Sequence, residues 1–216
     1  MGNLQPNDPT DTEQLVEQLR GGDRQALTDL FQRHRDRLRR MVELRMDARL
    51  RGRVDASDVL QDAFLDAATS LDTYLRGTDL PPFLWLRCVV SQRLSRYHRR
   101  HLGTKMRDAD HEVSLYHNPL PQASSAALAS MLLGRLTSPS DAAIRAEQVL
   151  RVQEALNALD PLDREVIALR QFEELSRAET AQVLGITEEA GAKRYMRALR
   201  RLKAVLAAQP GGPEGT

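Results

Sequence analysis

Only one cysteine, Cys88, stands among the 216 residues, so no disulfide can form within the chain. It lies in FLWLRCVV, an apolar stretch where a small core residue is the ordinary occupant. Aromatic residues make up 4% of the chain and β-branched runs are few, which argues against a large sheet. No apolar run approaches the roughly 20 residues of a membrane span. The opening MGNLQPNDPTDTE lacks the basic and apolar regions of a signal peptide. A cytoplasmic protein without a membrane partner is expected. Net charge is only +1, so the overall balance is silent on partners. Its distribution is not. Residues 1–32 hold six acids and two bases, residues 33–53 nine arginines and three acids, and residues 87–107 seven bases and no acid.

What remains is helical punctuation. A helix is expected over about 11–20, stopped by Gly21-Gly22. A second is expected over about 23–50, with Leu27, Leu30, Phe31, Leu38, Met41 and Val42 at near-helical spacing. VDASDVLQDAFLDAATSL offers Asp55 or Ser57 as N-cap, followed by a stripe of Leu60, Phe64, Ala67, Ala68, Leu71 and Leu75. Pro81-Pro82 opens a fourth helix, whose stripe is Phe83, Leu86, Val90, Leu94 and Tyr97. Residues 108–139, rich in Ser, Ala and Pro, read as a linker with room for one short helix. Four more helices are expected beyond it. The fold class is therefore all-α: an N-terminal helical bundle over 10–107, a flexible linker over 108–139, and a C-terminal helical domain over 140–208.

The C-terminal domain carries the sharpest motif. Asp160 caps a helix with Pro161 in its first position, and Ser176 with Glu179 has capping-box spacing. SRAETAQVLGITEEAGAKRYMRAL then has helix-turn-helix spacing: small Ala181 at a close crossing, Gly185 at the turn, and Thr187 to cap the second helix. At 100° per residue, Tyr195, Leu199, Leu202 and Leu206 share one face. Lys193, Arg194, Arg197, Arg200 and Arg201 fall opposite. Glu189, Ala190, Lys193, Arg194 and Arg197 are the positions a recognition helix brings to a major groove, with Arg201 suited to phosphate. The plain alternative is a solvated amphipathic helix.

In the N-terminal half, WLRCVVSQRLSRYHRRHLGTKMR combines Arg93, Arg96, Arg99 and Arg100 with Trp85 and Tyr97. Bases track a phosphate backbone and rings stack on unpaired nucleobases, although Trp85 and Tyr97 also suit a core. In DVLQDAFLDA, Asp58, Gln61, Asp62, Leu65 and Asp66 lie off the apolar stripe. Such a mixed acidic face receives a basic helical partner or simply meets water.

The order of these parts resembles a bacterial RNA polymerase sigma factor of the extracytoplasmic-function (ECF) type, over about 10–105 and 140–206. DVLQDAFLDA resembles the family's polymerase-clamp-binding helix, FLWLRCVVSQRLSRYHRRH the segment that melts and reads the −10 element, and LDPLDREVIALRQFEELSRAETAQVLGITEEAGAKRYMRALRRL the domain that reads the −35 element and docks on the polymerase flap. The resemblance implies a dissociable initiation factor. The core-polymerase contacts it implies fall on Asp58, Gln61 and Asp62, with Phe64 as packing, and the exposed face adds Leu65. The −10 contacts it implies fall on Trp85, Arg93, Arg99 and Arg100, and the basic run adds Arg96. The −35 contacts it implies fall on Lys193, Arg194 and Arg197, and the helix face adds Glu189 and Arg201. Its partners would be core RNA polymerase and promoter DNA, with an anti-sigma factor or a Ser/Thr kinase as regulator. Gln92 and Arg96 depart from the Asn and Asp that many relatives carry. Gly191 and Ala192 depart from a bulky apolar residue and a Lys, which leaves promoter sequence undetermined.

Two rival classes stay in view. A helix-turn-helix regulator that does not bind polymerase predicts tight duplex binding by the isolated chain. An enzyme would draw on His98, His101, His111 and His117 with Cys88, a loose metal spacing. No P-loop, glycine-rich fingerprint, nucleophile elbow or HExxH motif appears, so neither catalysis nor a cofactor is expected.

Overall fold

The computed structural model describes residues 9–77, 80–102, 122–134 and 142–208. Among them are nine α-helices and no strand. They are α1 (Pro9–Arg20), α2 (Gln25–Arg45), α3 (Ala56–Gly77), α4 (Pro82–Leu102), α5 (Ser125–Gly134), α6 (Ala142–Asn157), α7 (Pro161–Gln171), α8 (Arg177–Leu184) and α9 (Glu188–Ala208). The helices fall into two compact units.

The first unit is built from α1, α2 as far as Val42, α3 and α4. The expected stop after α1 is made by Gly22, at φ 91° in the left-handed region. α2 ends at Arg45, several residues before the expected 50. Met46 turns extended, and the Asp47 carboxylate accepts the Arg49 N–H at 2.9 Å, so a turn replaces the next helical bond. Of the two candidate caps for α3, Asp55 is the one used. Its carboxylate accepts the Asp58 N–H, and the Asp58 carboxylate accepts the Asp55 N–H, both at 2.9 Å. The core holds Leu30, Leu38, Met41, Leu86 and Leu94, with Phe31 and Phe64 edge-to-face at 5.3 Å. α4 is buried on more sides than its stripe implied. Leu84, Trp85 and Val89 are inside as well, because an apolar run wider than one helical face must be covered all round.

The second unit comprises Glu43–Arg45 with α5 to α9. Within the stretch read as a linker with room for one short helix, residues 125–134 form α5, whose Leu128 and Ala129 are fully buried in a core shared with Leu156, Ile167, Phe172 and Ala198. The Ser/Ala composition that resembled a flexible strap is a small-residue surface packed against α6. The rest of that expected linker, 108–121 and 135–139, lies outside the described residues.

Turn chemistry in this unit follows the sequence closely. The Asp160 carboxylate accepts the Leu162 N–H at 2.9 Å, with Pro161 opening α7. Ser176 and Glu179 form a full capping box at 3.1 and 2.7 Å. Gly185 takes φ 65°, a conformation glycine adopts without steric cost, and the chain reverses there into α9. The Thr187 hydroxyl accepts the Ala190 N–H at 3.2 Å. Ala181 is buried between α8 and α9, where a larger side chain would part them.

Candidate polymerase and promoter interfaces

In the first unit, α3 presents Asp58, Gln61, Asp62 and Leu65 on its outer side. Leu65 is 60% exposed, the one large apolar side chain standing in the open on this face of α3. The Asp58 carboxylate is engaged with the Asp55 N–H. Asp62 and Asp66 turn toward α4. Arg93 pairs with both, donating to Asp66 Oδ2 at 2.8 Å and to Asp62 Oδ2 at 3.5 Å. Arg96 donates to Asp66 at 3.2 Å, and the Tyr97 hydroxyl to Asp62 at 2.8 Å. The Asp66 hydrogen bond, opposed by partial burial, holds the Arg93 guanidinium firmly charged. Burial and then the Asp62 hydrogen bond push the Tyr97 phenol up. The acids that appeared missing around the α4 arginines thus arrive from α3. Three of the expected polymerase and −10 residues, Asp62, Arg93 and Arg96, join Tyr97 in one network around Asp62 and Asp66. Arg99 and Arg100 stay outside it as exposed side chains at the end of α4.

Trp85 is corrected. It is 2% exposed and stacked on Tyr74 at 4.2 Å, so neither ring face is open to a nucleobase. Tyr74 in turn donates its hydroxyl to the Leu80 carbonyl at 3.0 Å, and burial raises its pKa to about 12. A tryptophan flanked by apolar residues in the buried first turns of α4 fills space. Burial likewise pushes the Cys88 thiol up, away from reactivity. Of the histidines weighed as metal ligands, His98 accepts the Asp47 N–H and His101 stacks on Tyr97 at 5.9 Å. His111 and His117 lie outside the described residues. Among the described residues no group of three or more His, Cys, Asp or Glu is placed to hold a metal ion.

In the second unit, the basic face of α9 is divided in two. Asp163, in the first turn of α7, is fully buried and receives three arginines from α9. Arg194 donates to it at 2.8 Å, Arg201 at 3.3 Å, and Arg197 approaches to 3.9 Å. Arg194 also lies 3.7 Å from Asp160. Arg194 is therefore turned toward α7 and partly buried. Glu189 and Lys193, an i,i+4 ion pair, are exposed, as are Arg200 and, despite its approach to Asp163, about half of Arg197. Met196, one turn from Lys193 and Arg200, is 53% exposed among them. Sequence reasoning passed over both Asp163 and Met196. Asp163 looks like an ordinary first-turn acid until α9 is packed beside it. Met196 carried a legible signal, an apolar residue off the apolar stripe.

Buried acids that fix arginines, a capped helix-turn-helix and a separate four-helix unit with an acidic-apolar face define an all-helical protein of two units. The comparisons agree. Residues 150–202 match the family described as sigma-70, region 4. The chain is 30% identical over 186 residues to the ECF RNA polymerase sigma factor SigM of Mycobacterium tuberculosis, covering 86% of this chain and 79% of that one. It is 28% identical to the RNA polymerase sigma factor NccH of Alcaligenes xylosoxydans xylosoxydans, over 92% of this chain and 96% of that one. Among solved structures, CnrH in complex with the cytosolic domain of CnrY has a similar fold, with a TM-score of 0.54, 24% identity, and coverage of 92% and 99%. This chain belongs to the ECF RNA polymerase sigma factors. It is a transcription initiation factor that binds core RNA polymerase and directs it to promoters, and not an enzyme. That membership decides against the rival reading of a regulator that does not engage polymerase. No helix among the described residues is long and apolar enough to cross a membrane.

Proposed function

We propose that the two units divide promoter recognition between them. The first unit acts as a region 2-like domain. Its α3 face, with Asp58, Gln61 and exposed Leu65, meets the polymerase clamp helices. Asp62 lies at the edge of that contact and ties it to α4. The outer side of α4, with Arg96, Arg99 and Arg100, takes the −10 element, and Arg93 positions that side through Asp66. The second unit, starting at 122 rather than 140, acts as a region 4-like domain on the flap and the −35 duplex. Glu189, Lys193, Arg197 and Met196 face the groove, where Arg or Lys suits guanine, Glu suits cytosine and an apolar group suits the thymine methyl. Arg194 and Arg201 hold α9 against α7. Two modest DNA contacts carried by one polymerase reinforce each other through effective concentration.

The observation that carries this reading is the division of α9. Asp163 takes the arginines nearest α7, and an exposed edge of mixed charge with one apolar side chain remains. A merely solvated helix has no need of a buried anchor for its arginines. The protein would act in the cytoplasm, where polymerase is. CnrH was solved with the cytosolic domain of CnrY. A regulatory protein partner of the anti-sigma kind is part of the proposal, and a Ser/Thr kinase is the other regulator carried by the resemblance. The test is run-off transcription from a genomic promoter library with core polymerase plus this protein. Initiation at promoters sharing −10 and −35 elements supports the reading, and initiation insensitive to the upstream element removes the role of α9.

A further inference from the structure

Nine arginines crowd residues 33–53, and the contacts proposed above use none of them. The fold occupies some internally. Arg33 pairs with Asp11 at 3.1 Å, and Arg37 lies over the Phe83 ring at 3.5 Å. Arg45 is buried beside Glu165 and Glu173. Three others, Arg49, Arg51 and Arg53, stand exposed on the loop between α2 and α3.

That loop is firmly built. Leu50, 1% exposed, and Val54 plug it into the first unit. The Leu50 N–H donates to the Asp47 carbonyl at 2.9 Å. The Arg53 and Val54 N–H groups donate to the Leu50 carbonyl at 2.8 and 3.0 Å. The Asp47 carboxylate takes the Arg49 guanidinium through two bonds, at 3.0 and 2.8 Å. These bonds hold Asp47 ionised well below the usual carboxylate range. With Asp47 and Asp55 against Arg49, Arg51 and Arg53, the loop carries a formal charge of +1. His98 fastens it to α4: its buried Nε2 accepts the Asp47 N–H at 3.3 Å. Burial lowers the His98 pKa, which suits a ring nitrogen acting as acceptor. The next residues of α4 are exposed Arg99 and Arg100. One hydrogen bond therefore joins the arginine loop to the basic end of α4. Gly52 sits between Arg51 and Arg53. Its φ is not in the left-handed region, and a Cβ there would meet nothing within 4 Å. Neither turn nor packing asks for glycine, whereas a bare Cα lets another backbone approach closely.

We propose that this loop is a phosphate clamp, in which Arg51 and Arg53, supported by Arg49, bind the promoter backbone beside the nucleotides taken by α4. The inference rests on the α4 reading above. Guanidinium forks suit phosphate oxygens and read no base edge, so the clamp adds affinity and register without sequence preference. Its continuity with Arg99 and Arg100 favours a nucleic-acid backbone over an acidic protein surface.

The experiment is equilibrium binding of reconstituted holoenzyme to a promoter fragment over a range of salt concentrations. R51A/R53A should weaken binding roughly tenfold near 0.1 M salt and flatten the log–log salt slope by about 1.5–2, as loss of two phosphate contacts requires. R51K/R53K should restore most of the slope. G52D, which changes no packing, should weaken binding in the same direction. An unchanged slope in R51A/R53A overturns the proposal. So does a loss that appears in binding to core polymerase without DNA, which would make the loop a protein contact. R99A/R100A tests the α4 reading separately. Normal binding in that variant, alongside weakened binding in R51A/R53A, would remove the α4 reading and keep the clamp.

Discussion

Asp163→Ala is the perturbation that most sharply tests how α9 is held. The carboxylate is fully buried and receives charged donors from Arg194 and Arg201, with Arg197 at 3.9 Å. Removing one partner of a fully buried ion pair costs about 3–5 kcal/mol. The arginines here are 26 to 57% exposed and can recover water, so the cost is discounted below that range, to about 2–3 kcal/mol. With a urea slope of about 1–1.5 kcal/mol/M for a unit of this size, the midpoint should fall by about 2 M. Far-UV circular dichroism follows both units, whereas fluorescence of Trp85, the single tryptophan, reports the first. The dichroism midpoint should fall and the fluorescence midpoint should move less. In a double-mutant cycle, D163A and R194A should couple by at least about 1 kcal/mol. Additive effects of the two, or a shift below about 0.5 kcal/mol for D163A alone, would refute the anchoring argument.

Three further predictions concern other links in the chain of reasoning. His34 is buried, with burial first and then Arg37 and Arg33 lowering its pKa to about 3. Between pH 6.5 and about 3 the unfolded chain binds the proton that the folded chain refuses. Stability should therefore be full above pH 6.5 and fall by about 1.4 kcal/mol per pH unit below it. Urea midpoints by Trp85 fluorescence check this, and His34→Leu should remove that part of the slope. Gly191→Ala adds a Cβ at ordinary contact, 3.8 Å from Ile186 Cδ1, within a helix. Thermal unfolding should show a gain of about 0.5–1 kcal/mol. Trp85→Phe should keep run-off transcription, because the indole is packed against Tyr74, and Trp85→Ala should cost about 3–5 kcal/mol of stability. Loss of −10-dependent initiation in a stable Trp85→Phe protein would put the ring back at the DNA.

The caps and turns were legible because they are local. Asp160-Pro161, the Ser176–Glu179 box, Gly185 and Thr187 each need only a neighbour within three or four residues. Helix faces were legible where one stripe met one core, as on α9. They were less so on α4, whose apolar residues run round the helix. Pairing between helices was the hidden part. Arg93 and Arg194 both looked like free cations in the sequence, and each meets an aspartate about 30 residues away. The same blindness placed Trp85 at the DNA, because a ring beside arginines has the same local pattern whether it stacks on a base or on Tyr74. A short helix was allowed at α5, but its place in a core was masked by composition, since small residues without charge serve a strap and a tight helix packing alike.

The central claim is that the exposed edge of α9 reads the upstream promoter element while Arg194 serves the fold. The most direct measurement is run-off transcription by reconstituted holoenzyme on two templates, one intact and one with the −35 element scrambled. K193A/R197A should lower initiation on the intact template by roughly tenfold, the scale of one lost base contact. On the scrambled template it should add little further loss, and core-polymerase binding should persist. An equal loss on both templates, or none on either, would contradict the assignment.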